Sequence, residues 1–84
     1  MSSPMTRSQQ PLQELIAEAC SRFAVEQERL VAPVRDRFLT KVRAWIAHQA
    51  GERGIANRSE VARALDRSEG SLRYALLMYI DELD

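Results

Sequence analysis

The chain of 84 residues carries one histidine, His48, and one cysteine, Cys20. A single residue of each kind cannot assemble a nucleophile with its base and orienting group, nor the ligand set of a catalytic or structural metal. The expectation is a protein that is not an enzyme and holds no metal or cofactor. Cys20, set among apolar-spaced neighbours, reads as a small core residue, and His48 as a solvated residue near a helix end. The residues equipped to act on a partner are cationic and hydroxyl-bearing. Arg67, Ser68, Gly70, Ser71 and Arg73 form one short run, with Arg37, Lys41 and Arg58 upstream. Arginine and lysine bind phosphate, while serine hydroxyls and Arg73 can read base edges. Gly70 costs about 1 kcal/mol of helix propensity relative to alanine and allows close backbone approach, unless it is simply a glycine in a solvent-facing turn.

Those residues need elements to hold them. No segment alternates with period two long enough to make a strand, so the expected fold is all-α, a bundle of about five helices containing a helix-turn-helix. Residues 1–10, MSSPMTRSQQ, hold no apolar repeat and read as a disordered tail, leaving 11–84 as a single domain. Pro11 opens a first helix to Phe23 with Leu12, Leu15, Ile16 and Ala19 on one stripe. Val25 to Val31 reads as a short second helix. Pro33 opens the longest, with Val34, Phe38, Leu39, Val42, Trp45 and Ile46 inward, Trp45 as the core anchor, and Arg37, Lys41, Ala44 and His48 on the opposite face. A charged stripe of that kind is most simply a solvated face. Gly51 and Gly54 end this helix.

Asn57 followed by Glu60 fits a capping box, and Val61, Ala62 and Leu65 face inward until Asp66 and Arg67 break the period. Ser68 is the next cap, with Glu69 in the first turn of a last helix whose buried side is Leu72, Ala75, Leu76, Tyr79, Ile80 and Leu83. The polar stretch DRSEG is thus the corner between two short helices, with its turn at Asp66 to Ser68. Units of this kind place a second helix in the major groove of DNA, although many bundles contain such corners.

The formal net charge is zero, but it is segregated. From Pro33 to Arg73, nine basic residues face five acidic ones, a surplus of +4, while the segments before and after are −1 and −3. That leaves a phosphate-binding face possible in the middle of the chain.

The phrases LIAEACSRFAVEQERL, RDRFLTKVRAWIAHQA and SEVARALDRSEGSLRYAL resemble the C-terminal DNA-binding domain of the bacterial replication initiator DnaA, and the related domain of transposases that act on repetitive extragenic elements. The resemblance spans roughly Leu12 to Leu83. It implies a helix-turn-helix that binds short duplex boxes, ending in a signature close to GGRDHTTVLHA. The signature's arginine falls on Arg67, its Asp-His pair on Ser68 and Glu69, its threonines on Gly70 and Ser71, its valine on Leu72, and its Leu-His-Ala on Arg73, Tyr74 and Ala75. Lys41 matches the basic position that in the family reaches toward the minor groove. The chain is one glycine shorter before Arg67 and replaces most of the base readers, so the initiator's own box is not its expected target. No ATPase domain is expected within these residues, and they are not expected to carry initiation itself.

The leading expectation is a small sequence-specific DNA-binding module, a regulator of a mobile element or prophage, with double-stranded DNA as partner. The alternative is a protein-interaction module that kept the scaffold without DNA, favoured by the neutral charge and by Glu69. With no run of about 18 apolar residues and no secretion-type N-terminus, a cytoplasmic location is expected. Tyr74, Leu77 and Met78 lie off the buried stripe of the last helix and suggest self-association as a homodimer that pairs two modules on one duplex; burial of this face under the first helix is the competing arrangement.

Overall fold

A computed structural model of the chain describes residues 10–33 and 36–82. Among these residues there are five α-helices: α1 (Gln10–Phe23), α2 (Gln27–Val31), α3 (Arg37–Glu52), α4 (Arg58–Ala64) and α5 (Glu69–Tyr79), followed by a 3-10 turn, Ile80–Glu82. The all-α architecture expected from the periodicity is the one observed. Residues 1–9, Val34 and Leu83 lie outside the described residues, as does most of the expected tail; Gln10, assigned to that tail, is the first residue of α1.

Left-handed closures end three of the helices. After α1, Ala24 takes φ 54° and the Val25 amide donates to Cys20 O at 3.0 Å, so Val25 belongs to this closure and α2 begins only at Gln27. After α3, Gly54 takes φ 64°, and the Ile55 and Gly54 amides donate to Ala50 O and Gly51 O at 2.8 and 3.2 Å. Gly51 therefore lies inside α3, and only Gly54 makes the turn. After α4, Asp66 takes φ 54°, and the Arg67 and Asp66 amides donate to Ala62 O and Arg63 O at 2.8 and 3.3 Å. These paired bonds are the Schellman arrangement, which satisfies the last carbonyls of a helix. Alanine and aspartate bear the cost of a left-handed residue where glycine would not, about 1–2 kcal/mol each.

The start of α3 differs from the expectation at Pro33. Asp36 is the cap: its carboxylate accepts from the Phe38 and Leu39 amides at 2.8 and 3.3 Å, and the helix runs from Arg37. A carboxylate at the positive end of a helix outcompetes the proline as a starting signal. The start of α4 is as expected, with Asn57 and Glu60 completing a capping box.

α3 is the central element, packed against α1, α2, α4 and α5. Its Leu39, Val42 and Ile46 join Leu15 and Ile16 of α1, Val61 and Leu65 around α4, and Leu72 of α5 in one buried core. Trp45 is buried, and Phe23 meets it edge to face at 5.6 Å between ring centroids. The surface opposite the expected stripe of α3 is only partly a solvated face: Arg37 is exposed, Lys41 and His48 are half-buried, and Ala44 is fully buried. Phe38, expected inward, is 46 % exposed.

The one buried charged residue among those described is Arg43. Its Nε donates to Leu30 O at 2.8 Å, and its Nη2 to Arg29 O and Ala32 O at 3.2 and 3.4 Å. Burial lowers its pKa, the neighbouring Arg67 adds to the lowering, and Asp36 opposes it. The guanidinium supplies donors to carbonyls at the end of α2, which stops at Val31, and Pro33 has no amide with which to reach back to Arg29 O. Arg43→Met should therefore destabilise the fold by about 2–4 kcal/mol in urea unfolding, because it strands buried carbonyls as well as removing the bonds; a loss below about 0.5 kcal/mol would contradict this role.

Arg53 and Glu18 tie the end of α3 to α1 through two parallel bonds of 3.1 Å. The Arg53 hydrogen bond holds the Glu18 carboxyl below its ordinary pKa against a smaller opposing effect of desolvation. Because the folded pKa is lower than the unfolded one, about 4.3, the stabilisation is present above that value and disappears as pH falls through the folded pKa. Melting temperatures of the parent and Glu18→Gln should differ near about pH 6 and converge toward about pH 2. A gap independent of pH would contradict the pairing.

Candidate nucleic-acid interface

The candidate residues gather around α5. Ser68 caps the helix, its Oγ accepting from the Ser71 amide at 3.1 Å, which leaves the hydroxyl proton available to an external acceptor. Ser68, Gly70, Ser71 and Arg73 are all exposed. A Cβ added at Gly70 would meet no heavy atom within 4 Å, so intrachain packing does not require glycine there.

Helical spacing splits the exposed side of α5. Ser71, Tyr74 and Met78 face a groove shared with Arg37, Phe38 and Lys41 at the start of α3. Gly70, Arg73 and Leu77 lie along the next row, outside that groove. The structure thus brings Arg37, Lys41 and Ser71 together and leaves Arg73 and Gly70 beside them on the outer face of α5. Arg58 stands apart, exposed in the first turn of α4.

The groove is not uniformly basic, because Asp36 and Glu82 also line it. Lys41 Nζ lies 3.2 Å from Glu82 Oε1. Both side chains retain solvent contact, so the pair is worth at most about 1 kcal/mol and yields to a phosphate at small cost. The Asp36 carboxylate is occupied by the amides it caps.

Arg67, read from the sequence as one of the cations equipped to act on a partner, also has a structural role. Its side chain is half-buried, and its Nη2 donates to Ala32 O, the same carbonyl that accepts from Arg43. Nη1 donates to Asp66 O in the corner itself at 3.2 Å. Arg67 thus fastens the corner to the segment between α2 and α3. His48 is half-buried with Nε2 3.8 Å from Glu52 Oε1 on the same helix, outside this region.

Sequence reasoning missed the role of Arg43. The signal was present, since Arg43 stands four residues after Leu39 and three before Ile46, within the buried stripe. It missed Phe38 and Glu82 as groove residues because their proximity to α5 depends on tertiary packing.

No known protein family, curated protein or solved structure matches the chain in comparison.

The two arginines flanking the start of α5 should separate in stability measurements. Arg67→Ala should cost about 1 kcal/mol through loss of the Ala32 bond, whereas Arg73→Ala, fully on the surface, should stay within about 0.5 kcal/mol of the parent. Equal effects in urea unfolding would contradict the inward placement of Arg67.

Proposed function

We propose that the chain is a small DNA-binding module of the initiator-like helix-turn-helix class, a binding protein without catalytic activity. In this reading it acts in the bacterial cytoplasm as a sequence-specific regulator, for example of a mobile element or prophage. The observation that carries the reading is the disposition of α4 and α5: a tight corner at Leu65 to Ser68 joins them, and the amino-terminal half of α5 stays exposed beside the cations of α3. α5 enters the major groove with Gly70 toward the duplex and with Ser71 and Arg73 at base edges. Ser68, Arg37, Arg58 and Lys41 engage phosphate, Lys41 after release from Glu82. Arg67 serves chiefly by positioning the corner.

A second reading is favoured by a different observation. Tyr74, Leu77 and Met78 are 63, 71 and 55 % exposed, an apolar surface more typical of a protein partner than of a phosphate backbone.

Fluorescence anisotropy with a labelled nonspecific duplex separates the two readings. Three phosphate-bound cations give a slope of about −2.7 in log K against log salt, so affinity should fall about fortyfold between about 50 and 200 mM salt. Lys41→Ala should reduce the slope by about 0.9. Gly70→Ala should weaken binding while stabilising the free protein by up to about 1 kcal/mol, because a methyl group fits the isolated fold but obstructs an approaching duplex. No anisotropy change at low salt would reject DNA and favour the protein partner.

A further inference from the structure

α1 packs on α3 and leaves Tyr74, Leu77 and Met78 of α5 exposed, so the expected alternative of their burial beneath the first helix does not hold. What reaches the groove between α3 and α5 from elsewhere is the 3-10 turn that follows α5. We propose that Glu82 in this turn is a built-in competitor for phosphate: its carboxylate holds Lys41, and the groove takes phosphate by displacing it.

The contact has the properties such a competitor needs. Lys41 Nζ donates to Glu82 Oε1 at 3.2 Å, and the two residues are 41 positions apart, so the pair ties two elements together and is not a neighbour contact along one helix. The Glu82 side chain is 55 % exposed and returns to water easily, whereas Lys41, at 33 %, stays at the groove wall. The turn has only 3 residues and packs mainly on α5, the helix it continues, so it can shift without disturbing α3 or the corner. The other carboxylate of the groove cannot do this. Asp36 is fixed by the Phe38 and Leu39 amides that it caps.

The electrostatics favour exchange over sharing. Among the groove residues, the two cations Arg37 and Lys41 balance the two carboxylates Asp36 and Glu82. Moving Glu82 aside leaves one positive charge in excess. An ammonium has three donors, and a phosphate could take one that Glu82 leaves free, but two anions on one ammonium lie close enough to repel each other. With duplex as the partner, as in the proposed function on which this step rests, Glu82 holds down the electrostatic, sequence-independent part of binding.

The test compares the parent, Glu82→Gln, Lys41→Ala and the double variant. Each is titrated with a labelled nonspecific duplex at about 50 mM salt and, separately, with inorganic tripolyphosphate followed by amide shifts at the start of α3. Glu82→Gln should bind both anions about two- to fivefold more tightly than the parent, the scale set by an exposed ion pair. Most of that gain should disappear in the Lys41→Ala background. Glu14→Gln removes the same charge from an exposed position on α1 outside the groove, and should change affinity by less than about 1.5-fold. No gain from Glu82→Gln, a gain no larger than that of Glu14→Gln, or a gain undiminished without Lys41 overturns the proposal. If the coupling is seen with tripolyphosphate while the duplex binds none of the proteins, the inference stands and the DNA reading fails. Duplex binding without the coupling leaves the DNA reading and removes the inference, and failure of both anions to bind any of the proteins removes both.

Discussion

The structure is organised around the carbonyls at the end of α2, which accept from two arginine side chains. That helix has only 5 residues, it stops before Pro33, and the carbonyls of Arg29, Leu30 and Ala32 accept from side chains elsewhere in the chain. Arg43 supplies them from inside α3, and Arg67 supplies another from the corner before α5. Two guanidinium groups converge on Ala32 despite their mutual repulsion, which is part of what lowers the pKa of Arg43. Burying a charge is tolerable where several acceptors are already fixed, and none of the buried side-chain nitrogens and oxygens among the described residues lacks a partner. One short helix end thereby links α2, α3 and the α4–α5 corner.

This linkage bears on function because the corner has few other restraints. α4 has only 7 residues and closes on Asp66 in a left-handed conformation that aspartate tolerates less readily than glycine. Its orientation rests on Val61, Ala62 and Leu65 in the core and on the inward reach of Arg67. With those fixed, Ser68 starts α5 in a direction that buries Leu72 and Ala75 and turns Gly70, Arg73, Tyr74 and Leu77 outward. The same outward face thus carries the candidate readers of DNA and the apolar residues suited to a protein partner. Their overlap on one helix makes the two uses competitors.

Much of this fold was legible in the sequence, and the exceptions have specific physical causes. The stripes of α1, α4 and α5 were readable because each of these helices buries one face only. The outer face of α3 was legible only in part: Arg37 is exposed as expected, but Arg43 and Ala44 are buried with the apolar residues because four neighbouring helices pack around α3. Helix ends followed glycine where glycine was present at Gly54, but Ala24 adopts the same left-handed conformation with no compositional signal. In the candidate site, the surface serines and Arg73 were legible as an exposed run. Arg67 was not, since its acceptor, Ala32, is distant in sequence and adjacent only after folding.

A residue-resolved test of the central claim is an amide chemical-shift titration of the protein with a short nonspecific duplex at low salt. Changes should concentrate at the start of α3 around Arg37 to Lys41, in the first turn of α4 at Arg58, and from Ser68 through Tyr74, with α1 and α2 largely unaffected. Saturating duplex that leaves the amides of Ser68 to Tyr74 unshifted, or shifts concentrated on α1, would contradict the presentation of α5 as the DNA-contacting element.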